Sequence, residues 1–496
     1  MKNLIITLTT ALIIMANQVW AQKDSLANQN TNVTRAIKTL VAGDKLKHAQ
    51  IAVMAVDTKN GDIICQHNQD MSLTPASNLK LFSTAAALEL YGPNFKYETE
   101  LLYSGNIDSN GLLIGDIIIK GGGDPTLGSR FFTNSNPNYI KQMAEAIKSA
   151  GIKNVQGNVI GDATIYGDEV LPTTWSWEDI GNYYGAVPSG LSNHDNMTTL
   201  HFKTDELGTT AQYTGCSPEV KGMIIDCRAV SSNVTRENTN TFGLPYQFYK
   251  TVIGPMPQKK DDVTVRTIIP DPALFMAQEL CDTLSSMGIS TLGRPFNAKN
   301  NKKYLATKDS ISKVSILKIT SPALSEIIEQ TNIWSVNLFA EHCLSLVGLK
   351  QVKTTEINSA CGALMQFWKK KGMDIEGMSI NDGCGLSHYN IITPRQMCFL
   401  LTYMRNSKNY NTFNASLTMC GQRGTMSGMC KNTAAWKNAR GKSGSIRRVK
   451  AYSGYVKSKS GRELAFSILI NNFSGTSAEA KNDMEKIISA LADFNL

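Results

Sequence analysis

The sequence predicts an α/β (α+β) domain, an antiparallel sheet flanked by helices, split by a long β-rich insertion. Three observations carry this. A strand-turn-strand pattern at 51–65 precedes an apolar helix at 79–90. Two strand patterns and an amphipathic helix fill 446–494. Between them, from about 96 to 313, short strands dominate. The N- and C-terminal parts are therefore expected to share one sheet. The chain has 496 residues, 42% of them hydrophobic, which suits two or three domains or one domain with large insertions.

The elements follow in order. Lys2, an apolar run from Leu4 to Ala16 and Val19-Trp20-Ala21 read as a signal peptide over 1–21, cleaved after Ala21. The run is too short and polar for a membrane span. A soluble periplasmic or secreted protein starting near Gln22 is expected. Val33, Ile37, Leu40 and Val41 fit a helix over 32–48. Ile51 to Val56 alternates as a strand, Lys59-Asn60-Gly61-Asp62 is a hairpin turn, and Ile63-Ile64-Cys65 returns. Thr74-Pro75-Ala76 leads into a helix with Leu79, Phe82, Ala86 and Leu90 on one side, ended by Tyr91-Gly92-Pro93.

The inserted region has strands at Leu101–Tyr103, Leu112–Ile119, Val155–Ile160 and Met197–Phe202, and helices at Tyr139–Ala150 and Pro272–Met287. Asn297 to Lys303 reads as a polar linker. The expected division is 22–95 and 314–496 as two parts of one domain, with 96–313 inserted as one or two small domains. Residues 321–347 are helical, Ile446 to Val456 and Leu464 to Ile470 are strands, and Ala478 to Phe494 is a helix.

Ser77-Asn78-Leu79-Lys80 places a hydroxyl and an amine three residues apart at a helix start, where they share a face. A partly desolvated lysine can lose its proton and serve as the base that a serine nucleophile needs. The same S-x-x-K spacing recurs at Ser310 and Ser315, in a basic linker and a strand-like run. Ser335-Val336-Asn337 falls between two helical patterns, where polar tips can face a cleft. Lys442-Ser443-Gly444-Ser445 opens a strand, whereas its rival Lys459-Ser460-Gly461 reads as a hairpin turn. Gly444 allows close approach to a substrate backbone. Lys442 can hold a carboxylate, with a hydrogen bond from the Ser443 hydroxyl. The order S-x-x-K, S-x-N, K-S-G is that of a serine acyl-transfer site.

Other candidates are weaker. Gly121-Gly122-Gly123-Asp124-Pro125 lacks the Lys-Ser/Thr of a phosphate loop and reads as a turn. His194-Asp195 invites a triad with Ser77 but sits in a loop pattern, and His342 reads as a packing residue. Ten cysteines lack any C-x-x-C, so a zinc or redox motif has little support. Local disulfides Cys216–Cys227 and Cys420–Cys430 and buried free thiols both remain open. The net charge of +9 suits an anionic wall or membrane surface, or simply a solvated surface. No basic run interleaved with aromatics suggests nucleic acid.

With these motifs, the chain resembles the low-molecular-mass class C penicillin-binding proteins of the D-alanyl-D-alanine carboxypeptidase/endopeptidase type. The resemblance spans most of 50–475. It also rests on Gly-Gly-Asp-Pro-Thr-Leu (122–127), Tyr-Gly-Ala (184–186), Leu338-Phe339-Ala340-Glu341, Asp382-Gly383-Cys384-Gly385-Leu386-Ser387 and Ser453-Gly454-Tyr455-Val456. It implies a transpeptidase/β-lactamase-like domain with two inserted domains. It further implies Ser77 as acylated nucleophile and Lys80 as its base, with Ser335, Asn337 and Lys442 as a proton-shuttling and orienting network. Ser443 would bind the substrate carboxylate, and the N–H groups of Ser77 and Ser445 would form the oxyanion hole. The implied partners are peptidoglycan stem peptides and inhibitory β-lactams, with no metal or cofactor. Ser443 stands where threonine is usual, Val336 where a polar residue often is, and Cys384 where serine is common. None of these removes a reacting group. Two other readings fit the same residues: a β-lactamase or esterase, though the Tyr-x-Asn of class C β-lactamases is nowhere in the chain, and a catalytically silent peptidoglycan-binding protein.

Overall fold

The computed structural model describes residues 31–495. The expected signal peptide at 1–21 lies outside the described residues. The two ends of the chain meet in one six-stranded sheet. Its spatial order is Ile63–His67, Gln50–Asp57, Glu463–Asn471, Val449–Lys457, Arg440–Ile446 and Thr418–Met419. Every neighbouring pair is antiparallel. Gln50–Asp57 pairs along its whole length with Glu463–Asn471, so the first strand after the opening helix lies against the last strand of the chain.

Side chains on a strand alternate between faces, and here both faces are buried. Ala52, Met54 and Val56 enter one core with Ala465 and Leu469. Val53 and Ala55 enter another with Phe466, Ile468 and Ile470. The alternation expected for Ile51 to Val56 is therefore absent: the strand is buried on both faces beyond Gln50. The second core is closed by the helices Asn32–Val41 and Ser477–Ala492. The first is closed by Lys80–Tyr91, Leu324–Trp334, Asn337–Val352, Ile357–Lys370 and Pro394–Arg405. Trp368 sits at its centre, fully buried. Its Nε1–H donates to the Phe82 carbonyl at 3.3 Å. Its ring packs edge-on against Phe82 and Phe367.

The inserted region has its own sheets. Its largest has five strands in the order Pro295–Asn297, Val159–Asp162, Ile117–Lys120, Glu98–Ser104 and Lys313–Thr320. The helices Tyr139–Ser149 and Pro272–Ser286 contribute to its core. Lys313–Thr320 runs past the expected boundary at 313, yet pairs with Glu98–Ser104. That long-range pairing is one no local pattern could supply. Three smaller expectations also change. The run 112–119 breaks into Leu112–Ile114 and Ile117–Lys120. The run 446–456 contains a turn at Arg447-Arg448. The polar stretch 297–303 folds rather than linking, with Asn297, Ala298 and Tyr304 buried.

All ten cysteines are free thiols. Among the described residues no helix is long and apolar enough to cross a membrane. Replacing Trp368 with alanine is expected to lower stability by about 3–5 kcal/mol, from lost burial and an unfilled cavity. Denaturant unfolding monitored by circular dichroism would measure it.

Candidate active site

Ser77 lies in a short 3₁₀ turn, Ala76–Leu79, that runs directly into the α-helix Lys80–Tyr91. Ala76 holds φ at 47°, a left-handed conformation that is costly for a residue with a Cβ. The opposing chain locks this turn. A Cβ on Gly385, itself at φ 85°, would fall 1.9 Å from the Ala76 carbonyl oxygen. On the other side a Cβ on Gly444 would fall 2.5 Å from the Pro75 oxygen. Glycine at both places lets two segments clamp the serine turn.

The three motifs meet here. Lys80 is fully buried, and its Nζ is 2.9 Å from Ser77 Oγ, 2.7 Å from Asn337 Oδ1 and 2.7 Å from the Cys384 carbonyl oxygen. An ammonium has three protons, and these three acceptors would use all of them. With Lys80 neutral, its lone pair can instead accept the Ser77 hydroxyl proton. Burial pushes the Lys80 amine below the ordinary lysine value, against the attraction of Cys384, Asp382 and Glu341.

Ser335 ends the helix Leu324–Trp334 in a left-handed conformation, φ 61°, and Asn337 begins the next helix. This two-residue break, expected from sequence as an inter-helix turn, aims both side chains inward. Asn337 Oδ1 meets Lys80 while its Nδ2 donates to the Tyr184 carbonyl at 2.8 Å, which fixes the amide's orientation. Ser335 Oγ accepts from Lys442 Nζ at 2.8 Å. Lys442 is fully buried on the strand Arg440–Ile446 and also donates to the Ser443 carbonyl at 2.8 Å. Burial, and then the neighbouring charge of Lys80, push its amine well below the ordinary lysine value. Ser443 is half-buried and Ser445 exposed, following Lys442 along the strand.

Sequence reasoning assigned no role to the layer beneath. Asp382 is fully buried and accepts from four donors: Trp175 Nε1 at 2.9 Å, Gly385 N at 2.6 Å, Ser387 N at 2.7 Å and Asn390 Nδ2 at 2.8 Å. It thereby shapes the loop whose Cys384 carbonyl faces Lys80. Glu341 accepts from Gly383 N at 2.9 Å. Burial, reinforced by Asp382, pushes its carboxyl up to about 8. Glu341, Asp382 and Cys384 bring potential metal-ligand atoms within 4.8 Å of one another. Both Asp382 oxygens are, however, already taken by protein donors. The Asp-Gly-Cys-Gly-Leu-Ser and Phe-Ala-Glu strings signalled these residues, whereas nothing marked Trp175.

The remaining candidates lie elsewhere. Asp195 accepts from Ser129 at 2.5 Å, and His194 hydrogen-bonds Tyr139 and Glu279, all within the inserted region. His342 is the packing residue expected. It is fully buried, hydrogen-bonded to the Gly123 carbonyl, Tyr166 and Ser192, and pushed down to about 3 by burial. It ties the inserted region to the helix carrying Asn337.

This fold is the α/β transpeptidase-like one, with inserted sheets and a site in which two buried lysines each contact a serine hydroxyl. The profile of the D-Ala-D-Ala carboxypeptidase 3 (S13) family matches residues 33–494, and the chain belongs to that family. It is 27% identical to a D-alanyl-D-alanine carboxypeptidase of Actinomadura sp. (strain R39), over 93% of this chain and 85% of that one. It is 22% identical to the D-alanyl-D-alanine carboxypeptidase DacB of Haemophilus influenzae, over 92% of each chain. The crystal structure of penicillin binding protein 4 from Haemophilus influenzae superposes with a TM-score of 0.76 at 20% identity, covering 93% of this chain and 98% of that one. The chain is accordingly an enzyme, a hydrolase of the serine-type D-Ala-D-Ala carboxypeptidase class.

Two substitutions test the clamp. Gly385→Ala is expected to slow acylation by a penicillin on the order of 100-fold, because it displaces the serine turn. The rate is measured by stopped-flow with a chromogenic β-lactam. Asp382→Asn can no longer accept at both positions, and is expected to cost about 2–4 kcal/mol in urea unfolding.

Proposed function

We propose that Ser77 is the nucleophile of this carboxypeptidase and Lys80 its general base, acting on peptidoglycan stem peptides ending in D-Ala-D-Ala. The observation that carries the assignment is the contact of 2.9 Å between Lys80 Nζ and Ser77 Oγ. As Ser77 Oγ bonds to the carbonyl carbon, its proton passes to neutral Lys80. The carbonyl oxygen gains negative charge and is held by the N–H groups of Ser77 and Ser445. The C–N bond then breaks, and the departing D-alanine amine takes a proton relayed from Lys80 or through Ser335 and Lys442. Water attacks the ester by the reverse proton path and frees Ser77.

Asn337 holds the Lys80 amine and lines the substrate's path. Lys442 and the Ser443 hydroxyl receive the terminal carboxylate, and Gly444 lets the peptide lie close to the strand. Cleavage of a peptide cross-link is the same reaction with a larger leaving amine, so endopeptidase action belongs to this reading. A β-lactam would acylate Ser77 and block it. The signal pattern at 1–21 supports export to the periplasm or beyond the cell. The net charge of +9 supports peripheral association with an anionic wall or membrane.

Incubation with a fluorescent penicillin is expected to label one tryptic peptide, containing Ser77, with Ser77→Ala unlabelled. A label elsewhere, or none, overturns the assignment. Digestion of purified muropeptide monomers and dimers, with products weighed by mass spectrometry, is expected to release D-alanine from the monomers. The acylation rate should rise with pH, since only neutral Lys80 can take the proton. Its apparent pKa should fall below 10.5, the ordinary lysine value, because burial favours the neutral amine. A pH profile of kcat/KM measures this.

A further inference from the structure

The inserted region carries a three-stranded sheet in the order Ile224–Cys227, Tyr249–Ile253, Asn240–Phe242. Its register sets Ile224 beside Tyr249, Asn240 beside Ile253, and Phe242 beside Thr251. Along Tyr249–Ile253 exposure alternates, with Lys250 and Val252 buried and Tyr249 and Ile253 open. One face is thus packed; the other faces solvent and sets Tyr249, Ile253 and Phe242 around Thr251 and Asp226, which is ion-paired with Arg228 at 2.7 Å. On that open face Trp177 lays its ring over Phe242, centroids 4.5 Å apart at 30°. Trp177 is 72% exposed, Ile224 61% and Tyr249 53%. So much aromatic and aliphatic surface left in water on adjoining strands marks an interaction site.

A chain of hydrogen bonds links the face to the catalytic groups. Trp177 opens the short helix Trp177–Ile180. Asp179 of that helix accepts from the Tyr184 hydroxyl at 3.0 Å. The Tyr184 carbonyl in turn accepts from Asn337, which holds Lys80.

We propose that this aromatic face binds the sugar rings of the glycan strand of peptidoglycan, holding the polymer while a stem peptide attached to it reaches Ser77. The proposal rests on the function assigned above, whose substrate hangs from such a strand. A pyranose offers a flat array of C–H bonds to the electron-rich faces of aromatic rings, and hydroxyl and amide groups at its edge. Trp177, backed by Phe242, and Tyr249 supply the ring faces, and the exposed Asn240 supplies an edge hydrogen-bonding group.

The test compares the full-length protein with its Trp177→Ala and Tyr249→Ala variants. Two substrates are used, purified sacculi and a soluble tripeptide ending in D-Ala-D-Ala. Binding of a stem-free glycan oligosaccharide is followed separately by tryptophan emission. On sacculi, kcat/KM is expected to fall about 5- to 10-fold in Trp177→Ala. On the tripeptide it should change by less than about twofold, a step too small for a lost stacking contact. The oligosaccharide should shift the emission of the unaltered protein and not that of Trp177→Ala. Equal rates on sacculi with no emission shift overturn the proposal. So does a dimer in light scattering that the variants abolish, since a second copy would then cover the face. If the unaltered protein turns over neither substrate, the carboxypeptidase assignment fails instead, and the emission experiment still decides whether the face binds glycan.

Discussion

The buried amine of Lys80 is the constraint around which the rest of the site is arranged. A lysine removed from water loses the solvation that favours its charge, so its protonated form must be met by hydrogen-bond acceptors or given up. Here three acceptors converge on it: the Ser77 hydroxyl three residues away, and the Asn337 amide and Cys384 carbonyl from distant parts of the chain. Two are neutral side chains and one is backbone. None of the three is a carboxylate that would lock the lysine in its charged form. The acidic groups Glu341 and Asp382 lie behind, and their own hydrogen bonds turn toward the 382–387 loop. A second buried amine, Lys442, adds repulsion that opposes charging both. The result is an amine close to a hydroxyl and able to change protonation state, which is the requirement for activating serine.

Holding that geometry falls to the fold. The sheet formed by the two ends of the chain carries Lys442 and Gly444 on an inner strand next to the short strand Thr418–Met419. Over one face of the same sheet, the turn leading into Lys80–Tyr91 brings Ser77 and that helix Lys80, and the break between Leu324–Trp334 and Asn337–Val352 brings Ser335 and Asn337. Two close backbone approaches, by Gly385 and Gly444, leave the serine turn nowhere to relax. The left-handed Ala76 and Ser335 are strained positions stabilised by the packing around them. The inserted region is tied in through buried polar links rather than merely appended. His342 reaches the Gly123 carbonyl, Trp175 reaches Asp382, and Tyr184 steadies Asn337. These links give the insertion a direct hold on the catalytic groups.

Much of this was legible in the residues. Local period and turn chemistry located the opening hairpin, the helix after Ser77, the break at 335–336 and the terminal helix, because each is set by neighbours a few residues apart. The three short motifs marked the side chains that the structure brings together, because hydroxyl, amine and amide are needed whatever surrounds them. Domain limits were less legible. Lys313–Thr320 reads as a strand in isolation, and only the structure shows that its partner is Glu98–Ser104. The disulfide question stayed open for the same reason, since spacing says nothing about whether two thiols meet.

By itself, then, the sequence determined the class of chemistry and the local framework: which groups are candidates to react, where helices and strands start, and that the two ends share a sheet. Only the tertiary structure decided what makes those groups reactive. Desolvation of Lys80 and Lys442, the Cys384 carbonyl as third acceptor, the four bonds that anchor Asp382 and the exposed stack of Trp177 on Phe242 all arise from long-range packing. Each depends on which distant atoms exclude water from a given side chain, and no pattern of neighbours along the chain encodes that.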